Sequence, residues 1–279
     1  MIERRSDYVS CGAHELHVSS WGDRSKPALV MWHGLARTGR DFDEAAIALS
    51  DEYFVICPDT LGRGLSSWAT DIATDYSYAS YGEHASAILD HFGVETLRWV
   101  GTSMGGLIGV TLAAGLLKGR VSHLVVNDIG PWIPEAASTR IADYVGAPPY
   151  FHSVTELEQW LRTNYAPFGD NTNAFWRRMA DSSMRRSDDG RVTVHYDPNI
   201  VTQFTVHKGD LDCWDEWDSL DLPALLLRGV ESDVLPAAVA SDMCARGPKP
   251  ELVEFAGVGH APTLATEPEW KLLRDFLAS

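Results

Sequence analysis

Three residues of the chain have types and spacing that suit nucleophilic catalysis: Ser103 in RWVGTSMGGLIGV, Asp233 in LLLRGVESDVL and His260 in EFAGVGHAPTL. A serine hydroxyl at neutral pH is a weak nucleophile, so it needs a base to take its proton and a third group to hold that base in one tautomer. Serine, aspartate and histidine supply those parts in that chain order. Around Ser103 the run reads GxSxG through Gly101 and Gly105, following the apolar stretch LRWV and preceding a helix-forming one. A strand that turns sharply into a helix there pushes the hydroxyl outward, and residues two positions away must be small because the turn is strained. The plainer reading makes Ser103 a helix N-cap, but the ordered partners downstream favour a nucleophile. The glycines are not a phosphate loop: a lysine and a serine or threonine would have to follow the last of them, and Leu107 and Ile108 stand there. The spacing of a dinucleotide fingerprint is absent as well.

Acyl transfer also needs donors for the oxyanion that forms in the transition state. One is the backbone N–H of Met104, directly after the serine at the start of a helix. The other is the N–H of Leu35, in the turn His33-Gly34-Leu35 that closes the apolar run ALVMWHG. Because Met104 acts through its backbone, its side chain is expected to tolerate replacement.

These groups need elements that bring them together. Up to Pro131 short apolar runs alternate with helical stretches: strands at 16–22, 28–34, 53–59, 97–101 and 123–131, and helices near 78–92 and 104–117. Continuous rather than alternating apolar strands are buried on both faces, as in a mainly parallel sheet covered by helices, so the fold class is α/β. Residues 132–215 change character, being rich in charge and aromatics, and read as an inserted helical lobe. The strand rhythm returns over 216–279 with runs at 223–229 and 251–257 and helices near 236–245 and 267–278. The core is therefore 1–131 plus 216–279. Ser103, Asp233 and His260 all fall just beyond strand carboxyl ends, where open parallel sheets gather their functional groups.

Composition narrows the partners. A net charge of -16 argues against a nucleic-acid or anionic-membrane surface, which needs a concentrated positive patch. The first residues carry no apolar stretch of signal-peptide length and no later run approaches a membrane span, so a cytoplasmic location is expected. Four scattered cysteines, Cys11, Cys57, Cys213 and Cys244, form no CxxC pair and read as reduced thiols.

With these motifs in place, HGL at 33–35, PDTLGRGLSS at 58–67, GTSMGG at 101–106, SDVL at 232–235 and GHAP at 259–262, the chain resembles an α/β-hydrolase-fold enzyme over nearly its whole length. It is similar in particular to the capped branch of carboxylesterases, lactonases and carbon-carbon bond hydrolases. The resemblance implies a mostly parallel eight-stranded sheet flanked by helices, an inserted helical cap over the site, and the catalytic roles given above. It argues against haloalkane dehalogenases and epoxide hydrolases, which place an aspartate where Ser103 stands. Asp128 in VVNDIGP also ends a strand and is the alternative acid; Asp233 is preferred because it holds the family position and Asp128 can lead into the cap.

The expected activity is hydrolysis of a small carboxylic ester through an acyl-enzyme, with neither metal nor organic cofactor. Diketone cleavage or enol-lactone hydrolysis on the same triad is the alternative, and a non-catalytic small-molecule receptor is the reading from another class. Oligomeric state, monomer or homodimer, is left open. His33, Arg37 and Trp132 are expected to border the substrate pocket, with His33 chiefly supporting the oxyanion turn. Arg37 and Arg40 either clamp a substrate carboxylate or, as preferred here, form a solvated pair ordering their loop against Asp41 or Asp43. Asp59 is expected to organise its turn with Gly62 and Gly64.

Overall fold

The computed structural model describes residues 3–279. The chain opens with β1 (Arg5–Cys11), β2 (His14–Trp21), β3 (Ala28–Trp32), α1 (Asp43–Leu49), β4 (Phe54–Pro58) and α2 (Tyr78–Phe92). It continues through β5 (Leu97–Thr102), α3 (Met104–Ala114) and β6 (Val121–Asn127). Eight strands form one sheet in the order β1-β2-β4-β3-β5-β6, completed by β10 (Ala224–Gly229) and β11 (Glu251–Phe255). Only the β1–β2 and β2–β4 pairings are antiparallel. The fold is the α/β-hydrolase architecture that the resemblance implies.

The burial pattern explains the sequence pattern. Every residue of β3, β4 and β10 is buried, because helices cover both faces of the sheet centre. β1, which the sequence reading passed over, is an edge strand with a mostly exposed, polar sequence that carries no burial signal. Helix ends follow ordinary chemistry. The Ser77 side chain accepts from the Ser80 N–H at the start of α2, and Gly93 closes that helix at φ 66°. Thr266 and Glu269 form a reciprocal cap on α10 (Glu267–Leu277).

Between β6 and β10 lie α4 (Glu135–Val145), β7 (Tyr150–Phe151), α5 (Val154–Asn164), α6 (Asn173–Ser183), β8 (Met184–Arg186), β9 (Val192–Val194), α7 (Thr202–Thr205) and α8 (Trp214–Ser219). α9 (Ala237–Ala245) follows β10. This segment was expected to be helical, yet β7, β9 and β8 form a small antiparallel sheet with β9 buried at its centre. Strands of two or three residues are too short to produce a readable period. α8 also crosses the expected boundary at 215.

Candidate active site

The sharp turn at Ser103 is built by packing. Ser103 has φ 53° and ψ -120° between β5 and α3. A Cβ on Gly101 would stand 2.1 Å from the Gly105 carbonyl oxygen, and one on Gly105 would stand 2.1 Å from the Trp32 carbonyl oxygen. Trp99, stacked on Trp32 with ring centroids 5.2 Å apart, donates its indole N–H to the Gly105 carbonyl at 2.9 Å. The turn is therefore pinned to the two central strands.

His260 Nε2 lies 2.9 Å from Ser103 Oγ, and His260 Nδ1 lies 2.7 Å from a carboxylate oxygen. A carboxylate only accepts, so the ring proton sits on Nδ1 and Nε2 is free to accept from the serine hydroxyl. That carboxylate is Asp128, not Asp233. Asp128 ends β6 at φ 56° and is fully buried. Its Oδ1 accepts the Gly229 N–H at 2.8 Å, and its Oδ2 accepts the Ser232 hydroxyl at 2.6 Å as well as His260. Asp233 has a side chain 57% exposed and pairs with Arg140 at 2.7 Å. The physical reason is the β6–β10 register: pairing Asn127 with Leu227 sets the end of β6 beside Gly229, and the loop that follows turns Ser232 inward and Asp233 outward.

The Leu35 turn, expected to supply an oxyanion donor, has a clear aiming device. The Gly34 carbonyl accepts from His33 Nδ1 at 2.7 Å and from the Arg37 N–H at 3.2 Å. The N–H of the same trans peptide, that of Leu35, points the opposite way. Among the described residues neither it nor the Met104 N–H has a hydrogen-bond acceptor. A Cβ built on Gly34 would lie 3.5 Å from the Ser103 Cβ, so the turn runs directly beside the serine. His33 Nε2 accepts from the Thr60 N–H at 2.9 Å, and burial pushes its pKa down to about 4, keeping the imidazole neutral.

That burial has a consequence for stability. His33 and His84 both have pKa values lowered by burial from 6.5 to about 4. The unfolded chain takes up their protons as pH falls through 6.5 while the folded chain does not until about 4, so folding stability is lost across that window. The expected loss is on the order of 3 kcal/mol for each histidine. Asp41 and Asp59, held below the ordinary carboxylate range by Arg37 and His17 against the opposing effect of burial, keep their contributions until lower pH. Urea unfolding at pH 7.5 and 4.5 measures the drop. Replacing His84, whose Nδ1 has no partner among the described residues, by Phe should remove about half of it.

A cavity of about 990 Å³ opens over Ser103 and His260, with apolar walls from both the sheet side and the inserted segment, including Leu107, Ile133, Ile141, Trp160, Phe168 and Phe204. Arg37 borders it, but its guanidinium makes a two-pronged contact with Asp41 at 2.8 and 2.6 Å and reaches Ser183 at 2.9 Å. It is a buried brace rather than a solvated loop residue. Arg40 pairs with Asp43 at 2.6 Å, as expected. Trp132 is 46% exposed and does not border the cavity; the expectation that it faces substrate is corrected. Asp59 accepts from the Gly39 and Leu65 N–H groups and from His17, organising its turn, and a Cβ on Gly64 would strike its carboxylate.

Two supporting residues escaped sequence reading. The Asn127 side-chain amide donates to Thr102 Oγ1 at 3.0 Å and to the Pro262 carbonyl at 2.8 Å, tying the His260 loop to the sheet. Ser232, which opens the SDVL run, steadies Asp128 by donating its hydroxyl at 2.6 Å, a contact the run does not reveal. A second serine-histidine-aspartate chain, Ser6 Oγ to His17 Nε2 and His17 Nδ1 to Asp59, each at 2.8 Å, lies on the β1–β2 edge. Its serine sits within a strand rather than at a helix start, so no paired amides face it.

The profile of the alpha/beta hydrolase fold matches residues 27–264. The chain is similar to a 3-hydroxybutyrate-oligomer hydrolase of Cupriavidus necator, 38% identical over 286 residues that cover 98% of this chain and 97% of that protein. A 3-oxoadipate enol-lactonase of Acinetobacter baylyi is 32% identical over 121 residues, 43% of this chain and 44% of its own length. The crystal structure of an alpha/beta hydrolase from Novosphingobium aromaticivorans superposes with a TM-score of 0.89 at 33% identity, covering 100% of this chain and 99% of that one. On this match and these relatives, the chain belongs to the alpha/beta hydrolase fold family.

Proposed function

We propose that this protein hydrolyses carboxylic esters, with Ser103 as nucleophile, His260 as base and then acid, and Asp128 as the group that orients the imidazole. The observation that carries the reading is the unbroken chain from Ser103 Oγ through His260 to Asp128 at 2.9 and 2.7 Å on the floor of a large, mainly apolar cavity. His260 takes the hydroxyl proton as Ser103 attacks the carbonyl, and the Leu35 and Met104 N–H groups receive the oxyanion. His260 then protonates the departing alcohol, and water repeats the sequence on the acyl-enzyme. Residues 132–215 act as the cap that supplies the cavity's outer wall. No helix among the described residues is long and apolar enough to cross a membrane.

The 3-hydroxybutyrate-oligomer hydrolase, matched almost end to end, supports short hydroxyacid oligoesters as the first substrates to try. The diketone and lactone alternatives call for a cation free to receive a substrate carboxylate. The cavity arginines, Arg37 and Arg140, are both engaged by aspartates, which favours neutral esters.

Fluorophosphonate labelling with peptide mapping tests the mechanism, and a panel of p-nitrophenyl esters, 3-hydroxybutyrate oligomers, lactones and vinylogous diketones tests the substrate class. One label per chain, on Ser103, is expected. Absence of label together with tight ligand binding would make the protein a receptor. Faster turnover of diketones than of any ester would transfer the reading to carbon-carbon cleavage.

A further inference from the structure

Arg63 is completely buried, and among the described residues no carboxylate lies within ion-pair distance of its guanidinium. A buried charge without a counter-ion is costly and persists only where its N–H groups are all engaged. Those of Arg63 are spent on neutral acceptors at one place. Nε donates to the Leu35 carbonyl at 2.8 Å, Nη1 to the Leu61 carbonyl and the Tyr81 hydroxyl at 2.7 Å, and Nη2 to Gln203 Oε1 at 2.6 Å. Nη2 also reaches Met104 Sδ at 3.5 Å. One cation thus touches both residues whose amides face Ser103, and a residue of the inserted segment besides. The Met104 side chain, expected to be replaceable, is buried and forms part of this contact.

The backbone on either side of Arg63 is fastened to the same segment. The Gly64 N–H donates to the His195 carbonyl at 2.9 Å, and the Asp197 N–H donates to the Gly62 carbonyl at 2.7 Å. The Tyr76 hydroxyl donates to Asp197 at 2.6 Å beneath the Arg63 guanidinium, which lies 5.6 Å from that ring's centroid. Arg63 therefore links the seating of the inserted segment to the position of the Leu35 turn.

We propose that Arg63 is a positioning residue for the oxyanion pocket: it locks the Leu35 turn, presses on Met104, and places an uncompensated positive charge behind the two amides, with Gln203 holding its outer edge. The inference rests on the ester-hydrolase reading. A positive charge held in a low-dielectric setting favours the negatively charged transition state over the neutral bound ester, so its removal acts on kcat rather than on KM.

The test compares Arg63→Met, Arg63→Lys and Gln203→Met with the parent chain. It measures kcat and KM on a short p-nitrophenyl ester, inhibition by a trifluoromethyl ketone that forms a tetrahedral oxyanion on the serine, and ester binding on the Ser103→Ala background. Active-site titration with fluorophosphonate corrects each rate for the folded fraction. Arg63→Met should lower kcat and ketone affinity together by about a hundredfold, the scale of losing one oxyanion donor, with KM and ester binding within about threefold. Arg63→Lys, which keeps the charge but loses the fork, should recover part of that loss. If the Arg63 variants do not fold, Gln203→Met carries the test with a parallel fall of about fivefold in kcat and ketone affinity. Unchanged ketone affinity in folded variants, or a loss confined to KM, overturns the inference. Absence of ester turnover by the parent chain overturns the ester reading itself, and full turnover by Ser103→Ala removes Ser103 as its nucleophile, so these failures are separable from that of Arg63.

Discussion

Ser103→Ala should lower kcat for a short p-nitrophenyl ester by about a millionfold, to the residual level left by the pocket and its amides. The fold should survive the change. Among the described residues the Ser103 hydroxyl has His260 as its only side-chain partner, and the positive φ at this position is already borne by a residue with a Cβ. Thermal unfolding should therefore shift little, and binding of the uncleaved ester should persist. An alanine variant turning over at the parent rate would remove Ser103 from the chemistry.

The second expectation concerns the acid, where two aspartates give opposite outcomes. Asp128→Asn should cost about ten thousandfold in kcat, because an amide facing His260 Nδ1 offers a donor where an acceptor is needed and favours the wrong tautomer. Asp233→Asn should stay within about threefold of the parent, since its side chain, at the solvent edge of the cavity, pairs with Arg140 and does not reach the imidazole, which is held by Asp128. Rates measured side by side, with circular dichroism as the control for folding, separate the residues. An inactive Asp233→Asn beside an active Asp128→Asn would show that the acid reaches the imidazole from the other loop.

Much of the fold was legible because its strands are buried on both faces. The runs at 28–34 and 53–59 contain β3 and β4, the run at 97–101 matches β5 to within one residue, and the final helix lies within one residue of its expected end. What escaped had weak periodicity for physical reasons: β1 is an exposed edge, and β7, β8 and β9 are two or three residues long. At the site, the serine turn and the histidine loop lie on chain-local motifs, and the structure brings their side chains within 2.9 Å. The carboxylate depends on which of two adjacent strand ends faces the imidazole. That is a matter of β6–β10 register and of which way the seven-residue loop 230–236 turns its side chains, neither of which a linear pattern carries. Arg63 was invisible for a related reason, since its acceptors come from residues 35, 61, 81, 104 and 203.

The position of Asp128 also orders events during synthesis. The Leu35 turn, Ser103 and Asp128 all precede the inserted segment, while the N–H and hydroxyl that hold Asp128 come from Gly229 and Ser232 on the far side of it. His260 is translated later still, beyond β11. On the proposed mechanism, a nascent chain emerging N-terminus first can thus assemble the strand, turn and helix around Ser103 and yet remain chemically inert, because His260 has not been translated. Hydrolytic competence then appears only when the last strands dock, and ribosome-stalled chains ending before residue 260 should leave an activated ester untouched.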